Sequence, residues 1–177
     1  ARPPVDKRNN PASPSVAVGT NALYVFFPDY GLVTYDLEGK ELWKLPLGPF
    51  NNIYGMGASP MIYNDLLLLA VDQSSGSYVA AYDKKTGKER WKTARPEATS
   101  GHATPIIWRA PNGKDQIILP GSFLMTAYDP ANGQKIWWVR GLSWEIKSTP
   151  VIDGDVMYIN GYGSPEGDPD RKITLPP

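Results

Sequence analysis

A chain of 177 residues is long enough for one ordinary domain that removes most of its apolar surface from water. Its 18 Lys and Arg balance 18 Asp and Glu, which leaves no electrostatic footprint for nucleic acid or an anionic membrane surface. The absence of cysteine removes disulfides, thiol nucleophiles and Cys-type zinc sites, and the longest apolar run, LLLLAV at 66–71, is far short of the roughly 20 residues of a membrane-spanning helix.

Residues 1–12 hold three prolines, no aromatic residue and no apolar stretch of a secretory signal, so any signal is expected to have been removed or to lie outside this chain. Strand patterns then follow one another. In residues 58–93, ASPMIY is expected to be a strand, ND a tight turn, LLLLAVD a strand, QSSGS a loop, YVAAYD a strand, KKTGK a turn and ERWKT a strand. Residues 103–141 repeat the order as ATPIIWR, APNGK, DQIILPG, SFLMTAYD, PANGQ and KIWWVR, with Asn-Gly in the turns, a strong hairpin signal. Residues 13–47 read as an earlier unit. After 147 only KSTPVID and VMYINGYG follow, the first two strands of a fourth.

Two markers recur in phase. Tyr35, Tyr82 and Tyr128 are spaced by 47 and 46 positions, and Trp43, Trp91 and Trp137 by 48 and 46. Ser or Thr followed by Pro recurs at Pro14, Pro60, Pro105 and Pro150, spaced by 46, 45 and 45. Two different motifs holding one period, with four strands and no helical pattern in each unit, predict an all-β propeller of four-stranded antiparallel blades. The blades are expected at about 13–47, 58–93 and 103–141, with the start of a fourth at 147–163. Residues 1–12 are then a terminal or inter-blade segment and 164–177 a loop.

The recurring turn has a physical reading. Asp36, Asp83 and Asp129 can accept hydrogen bonds from turn amides, and Gly39, Gly87 and Gly133 supply positive φ. The strand then resumes with Trp43, Trp91 or Trp137, large rings expected to fill the widening gap between radial blades.

AYDKKTGKERW at 81–91 resembles the Ala-x-Asp-x-x-Thr-Gly-Lys-x-x-Trp docking motif of the pyrroloquinoline-quinone-like (PQQ-like) β-propeller repeat family. The third unit departs from it with Asn132 and Gln134, and the first, TYDLEGKELW, is one residue shorter. The resemblance covers 13 to about 163. The wording of FNNIYGMGASP and INGYGSPEGDP is most similar to bacterial exported proteins of this type. Members of the family include quinoprotein dehydrogenases and a propeller lipoprotein of outer-membrane assembly, so the motif names a fold more securely than a function. Its members usually have seven or eight blades. With three and a half here, the chain is expected to be part of a longer protein or to complete its ring by self-association.

The resemblance implies, for a quinoprotein, calcium held by Glu, Asn and Asp, an Asp general base, a Trp stacked on the quinone and a vicinal disulfide in the alcohol dehydrogenases. The disulfide cannot form. Asn51, Asn52, Glu97 and Glu145 supply suitable atoms, but no spacing assembles one calcium shell. Aligned on the Ser/Thr-Pro marker, Gly57, His102 and Lys147 are equivalent, as are Tyr54, Thr99 and Trp144. They precede the innermost strands and differ between units. Asn52, Tyr54, His102, Trp144, Glu145 and Lys147 are therefore candidate binding residues at the channel mouth, beside plainer readings. His102, the only histidine, is a poor metal site and is expected to be hydrogen-bonded at the surface or channel. Glu145 and Lys147 are expected to form a solvated pair, and Trp144 suits inter-blade packing equally. Glu166, Asp168 and Asp170 do not match an EF-hand loop and are expected in a solvated loop.

No catalytic residue and no bound metal are expected. The expected role is a non-catalytic scaffold or binding module of a bacterial exported protein, with a protein partner or completing blades. The alternatives are part of a PQQ- and calcium-dependent dehydrogenase and a carbohydrate-binding propeller.

Overall fold

The computed structural model describes residues 10, 12–154 and 156–161. Most of segment 1–12, and all of 164–177 with its three acidic residues, lie outside these. The first sheet contains β1 (Ala17–Val18), β2 (Leu23–Phe27), β3 (Gly31–Tyr35) and β4 (Glu41–Pro46) in that spatial order. The second contains β5 (Met61–Tyr63), β6 (Leu66–Val71), β7 (Tyr78–Asp83) and β8 (Glu89–Ala94). The third contains β9 (Ile106–Arg109), β10 (Asp115–Pro120), β11 (Leu124–Tyr128) and β12 (Lys135–Arg140). A two-stranded sheet, β13 (Val151–Asp153) and β14 (Val156–Tyr158), follows. All pairings are antiparallel. This is an all-β propeller arrangement of three blades and the inner hairpin of a fourth.

Blade packing explains the apolar runs. Leu67, Leu69 and Val71 pack with Tyr24, Phe26 and Leu32 of the first blade. Their neighbours Leu66, Leu68 and Ala70 pack with Ile117, Leu119 and Tyr128 of the third. A strand covered on both faces has no polar side, which is why LLLLAV shows no alternation. On its other face the third blade gathers Ile106, Trp108, Ile118, Met125, Ala127 and Trp137 with Met157 of the fourth.

The innermost strands are shorter than the sequence pattern. β5 begins at Met61 and β9 at Ile106, not at 58 and 103. Pro60 and Pro105 have no N–H for a ladder, and the residue before each is committed across blades. The Ser15 N–H donates to Ser59 Oγ at 2.8 Å and the Ser59 N–H to Thr104 Oγ1 at 3.0 Å. Ser59 and Thr104 thus tie their blades to the preceding one while the rings of Pro60 and Pro105 are buried.

The opposite end of each blade carries the turn. Asp36 Oδ1 accepts the Glu38 and Lys40 amides, Asp83 Oδ1 those of Lys85 and Thr86, and Asp129 Oδ1 that of Ala131. One irregularity precedes each turn, between Thr34 and Tyr35, Ala81 and Tyr82, and Ala127 and Tyr128. Gly87 and Gly133 have φ of +72° and +73° and lie under the tryptophan of the preceding blade. The Trp43 indole N–H donates to the Lys84 carbonyl at 3.1 Å and that of Trp91 to Pro130 at 2.9 Å. Trp137 departs from this. Its N–H donates at 2.8 Å to Gln116 Oε1 of its own blade.

Candidate functional site

Loops 47–60, 95–105 and 141–150 lead into the inner strands of successive blades and emerge on one face. There the structure brings Tyr54, His102, Glu145 and Lys147 together. Glu145 Oε1 accepts the Ser100 hydroxyl at 3.1 Å and lies 3.3 Å from His102 Nε2. A carboxylate only accepts, so this contact sets the proton on Nε2. Lys147 Nζ is 3.0 Å from Oε2. The Tyr54 ring meets His102 edge-on with centroids 6.5 Å apart, and Lys147 Nζ lies 5.8 Å above the Tyr54 centroid. At Gly57, a Cβ would press on His102 Nδ1 at 3.0 Å. Loops of three consecutive blades therefore build one cluster, in which Gly57, His102 and Lys147 occupy equivalent positions.

The solvated pair expected for Glu145 and Lys147 is corrected by this geometry. Glu145 is only 5% exposed, because the hydroxyl, imidazole and ammonium close around it, and only the Lys147 end reaches water. Burial alone would push the Glu145 carboxyl up, but hydrogen bonds from His102 and Lys147 hold it down at about 2. Its two oxygens are thus committed to internal donors. Lys147, with 61% of its side chain exposed, and the partly buried Tyr54 ring are what the cluster presents outward.

Asn52 stands one step behind. Its amide donates to the Asp72 carbonyl at 3.0 Å while its oxygen accepts the Tyr54 N–H at 3.0 Å, so it shapes the loop that carries Tyr54. Trp144 is half-buried and is joined to this group by no hydrogen bond or ring contact among the described residues. Asn51 is tied elsewhere, through its N–H to Gln73 Oε1, and Glu97 pairs with Lys135.

Beneath the loops lies a pair that sequence reasoning missed. Arg95, fully buried, donates from Nε and Nη2 to the two Asp72 oxygens at 2.8 and 3.1 Å, from Nη1 to the Tyr128 hydroxyl at 2.6 Å and from Nη2 to the Pro120 carbonyl at 3.2 Å. Burial works against the Arg95 charge, but Asp72 and Tyr128 more than offset it and hold its pKa up. The same burial pushes the Asp72 carboxyl up against the pull of Arg95. A signal for this pair exists between the repeats. Leu47, Arg95 and Gly141 are equivalent, each with its N–H bonded to the loop between the second and third strands of its blade. Counted from the strand registers, Pro28, Asp72 and Ser122 are equivalent too. The acid and the base appear together in one unit and in neither of the others.

Calcium as a quinoprotein would hold it does not fit these residues. Among the described residues no three His, Asp or Glu side chains converge on a metal position. Asp72, Glu97 and Glu145 each already hold a cationic partner, Arg95, Lys135 and Lys147 respectively, and a calcium shell would have to displace them.

The sequence model of a family described as "Outer membrane protein assembly factor BamB" matches residues 7–164. Among solved structures, BamB from Moraxella catarrhalis is similar at 17% identity and a TM-score of 0.64, over 84% of this chain and 43% of that one. Quinohemoprotein alcohol dehydrogenase from Comamonas testosteroni is similar at 13% identity and 0.58, over 77% of this chain and 29% of that one. Quinohemoprotein alcohol dehydrogenase ADHIIG from Pseudomonas putida HK5 is similar at 16% identity and 0.53, over 71% and 26%. The chain spans less than half the length of each of these proteins, and at such identities the likeness concerns the fold. No curated protein sequence matches the chain significantly.

Proposed function

The chain belongs to the outer membrane protein assembly factor BamB family of PQQ-like propeller repeats, and from that membership we propose that it is a non-catalytic scaffold of a bacterial exported protein, holding a protein partner at the mouth formed by its inner loops. The observation that carries the reading is the commitment of Glu145. A carboxylate that accepts from Ser100, His102 and Lys147 and is held down by the last two is a poor proton acceptor and a poor metal ligand. What the cluster turns to solvent is the Lys147 ammonium, paired with Glu145, beside a partly buried aromatic ring, groups that suit acidic and aromatic side chains of a polypeptide. Exported location rests on the family, whose description names an outer-membrane protein assembly factor.

The test places a photo-crosslinking amino acid at Tyr54 or Lys147 in the natural host and, as control, at Glu38 in an exposed turn on the opposite face. A discrete protein adduct from the first two positions only, weakened by Lys147→Glu, supports the reading. A native mass spectrum of the protein from its source showing a quinone and calcium adduct overturns it in favour of a dehydrogenase.

A further inference from the structure

The second blade closes its turn end with its own cations. Arg90 Nη1 lies 3.2 Å from Asp83 Oδ2 and 3.5 Å from Asp65 Oδ2, and Lys84 Nζ donates to the Asn64 carbonyl. The Lys84 N–H also donates to the Asp65 carbonyl at 2.9 Å. These contacts tie the outer turn of the blade to its inner one. The strand registers make Asp65, Asp83, Lys84 and Arg90 equivalent to Asp115, Asp129, Pro130 and Ile136 of the third blade. Both carboxylates recur and both cations are gone.

The exchange leaves open space. Pro130 has no N–H to give to the Asp115 carbonyl, and Ile136 offers no donor in place of Arg90. The inner hairpin of the third blade is also longer, turning over 110–114 where the second uses 64–65. Between these parts and Tyr63 and Leu66 of the second blade lies a groove of about 690 Å³, within the usual size of a ligand site. Ile136 lies in its wall and is 46% exposed. The second blade beside it is complete, so that exposure comes from the groove. The two carboxylates differ in what holds them. Asp115 accepts the Tyr63 hydroxyl at 2.7 Å and lies 3.1 Å from Arg109 Nη1. Asp129 Oδ1 takes the Ala131 amide, and Asp129 has no cationic partner among the described residues, Lys114 of the lining included.

We propose that this groove receives a lysine or arginine side chain of a partner polypeptide, which supplies from outside what Lys84 and Arg90 supply within the second blade. Its aliphatic stem lies along Pro130 and Ile136 and its charge meets Asp129, as Arg90 meets Asp83. The sister blade identifies the guest, because there the same pair of carboxylate positions is filled by a cation on an apolar stem. The groove is at the turn end, away from the mouth loops, so either reading can fail without the other.

The probe is the capped tripeptide alanyl-arginyl-alanine, titrated into the full-length protein carrying labelled isoleucine and leucine methyl groups and followed by NMR. Saturable shifts of the Ile136 and Leu66 methyls are expected. The same peptide with citrulline, which keeps the shape of arginine without its charge, should bind about threefold or more weakly. So should the arginine peptide to Asp129→Asn, whose side-chain oxygen can still cap the turn. Ile136→Arg restores the arrangement of the second blade and should abolish the peptide-induced shift at Leu66, because the site is then filled from within. No shift at either methyl, equal binding of the arginine and citrulline peptides, or undiminished binding to Asp129→Asn or to Ile136→Arg would each overturn the proposal. Saturable binding of maltose in place of the peptide would also overturn it, by assigning the groove to a neutral sugar.

Discussion

The ring of Trp91 lies on Gly133 of the following blade, so close that a Cβ there would meet it at 2.4 Å. Positive φ and the absence of a side chain are both used at this glycine, the first by the turn and the second by the neighbour. Gly133→Ala should therefore cost about 3 kcal/mol, from a strained conformation plus a ring that cannot retreat. Gly39, with φ of +86° and open space where a Cβ would be, separates the two effects. Gly39→Ala should cost only about 1 kcal/mol. Urea midpoints of the two variants at unchanged slope measure the difference, and equal costs would refute the docking contribution.

The tryptophans themselves should rank in the same way. Trp91 is buried and bonded to the next blade, so Trp91→Ala should cost about 3–5 kcal/mol. Trp137 is only partly buried and bonded within its own blade, so Trp137→Ala should cost about half as much. Thermal and urea denaturation of the two variants would test the order.

Asp72 and Arg95 should behave as a unit. Removing either partner leaves a buried charge alone, so Asp72→Asn and Arg95→Met should each destabilise by about 3–5 kcal/mol. The double variant should fall well short of the sum, with a coupling of at least about 1 kcal/mol. Additive costs in the double-mutant cycle would show that the two side chains contribute independently.

Glu145 sets a pH dependence. Its native carboxyl is held at about 2, below its ordinary value of 4.5, so the unfolded chain takes up the proton first as pH falls. Its contribution is complete above about pH 4.5 and is lost as pH drops towards 2. Glu145→Gln should destabilise the protein at pH 7, and the gap between variant and parent should close between pH 4.5 and 2. A gap independent of pH in acid denaturation curves would mean that the carboxylate charge is not what His102 and Lys147 hold.

The repeat was legible in the sequence because its causes are local. An aspartate that caps turn amides, a glycine at positive φ and a proline that ends a ladder act within a few residues, whichever blade lies beside them. The period of Tyr82, Trp91 and Pro105 with their equivalents therefore marked the repeating unit, and the strand and turn pattern inside it predicted four strands. Which side chains are buried together was decided by the tertiary structure. His102 and Glu145 are 43 positions apart and meet because adjacent blades turn the same loops to the same face, while Asp72 and Arg95, 23 apart in one blade, meet because strand pairing brings the loop after its second strand beside the end of its fourth. Charge and spacing along the chain read Glu145 as solvated, whereas the field and exclusion of water around it come from three loops at once. The same reason explains Gln116, an ordinary polar residue by sequence, whose role as acceptor for the Trp137 indole appears only once the third blade is folded.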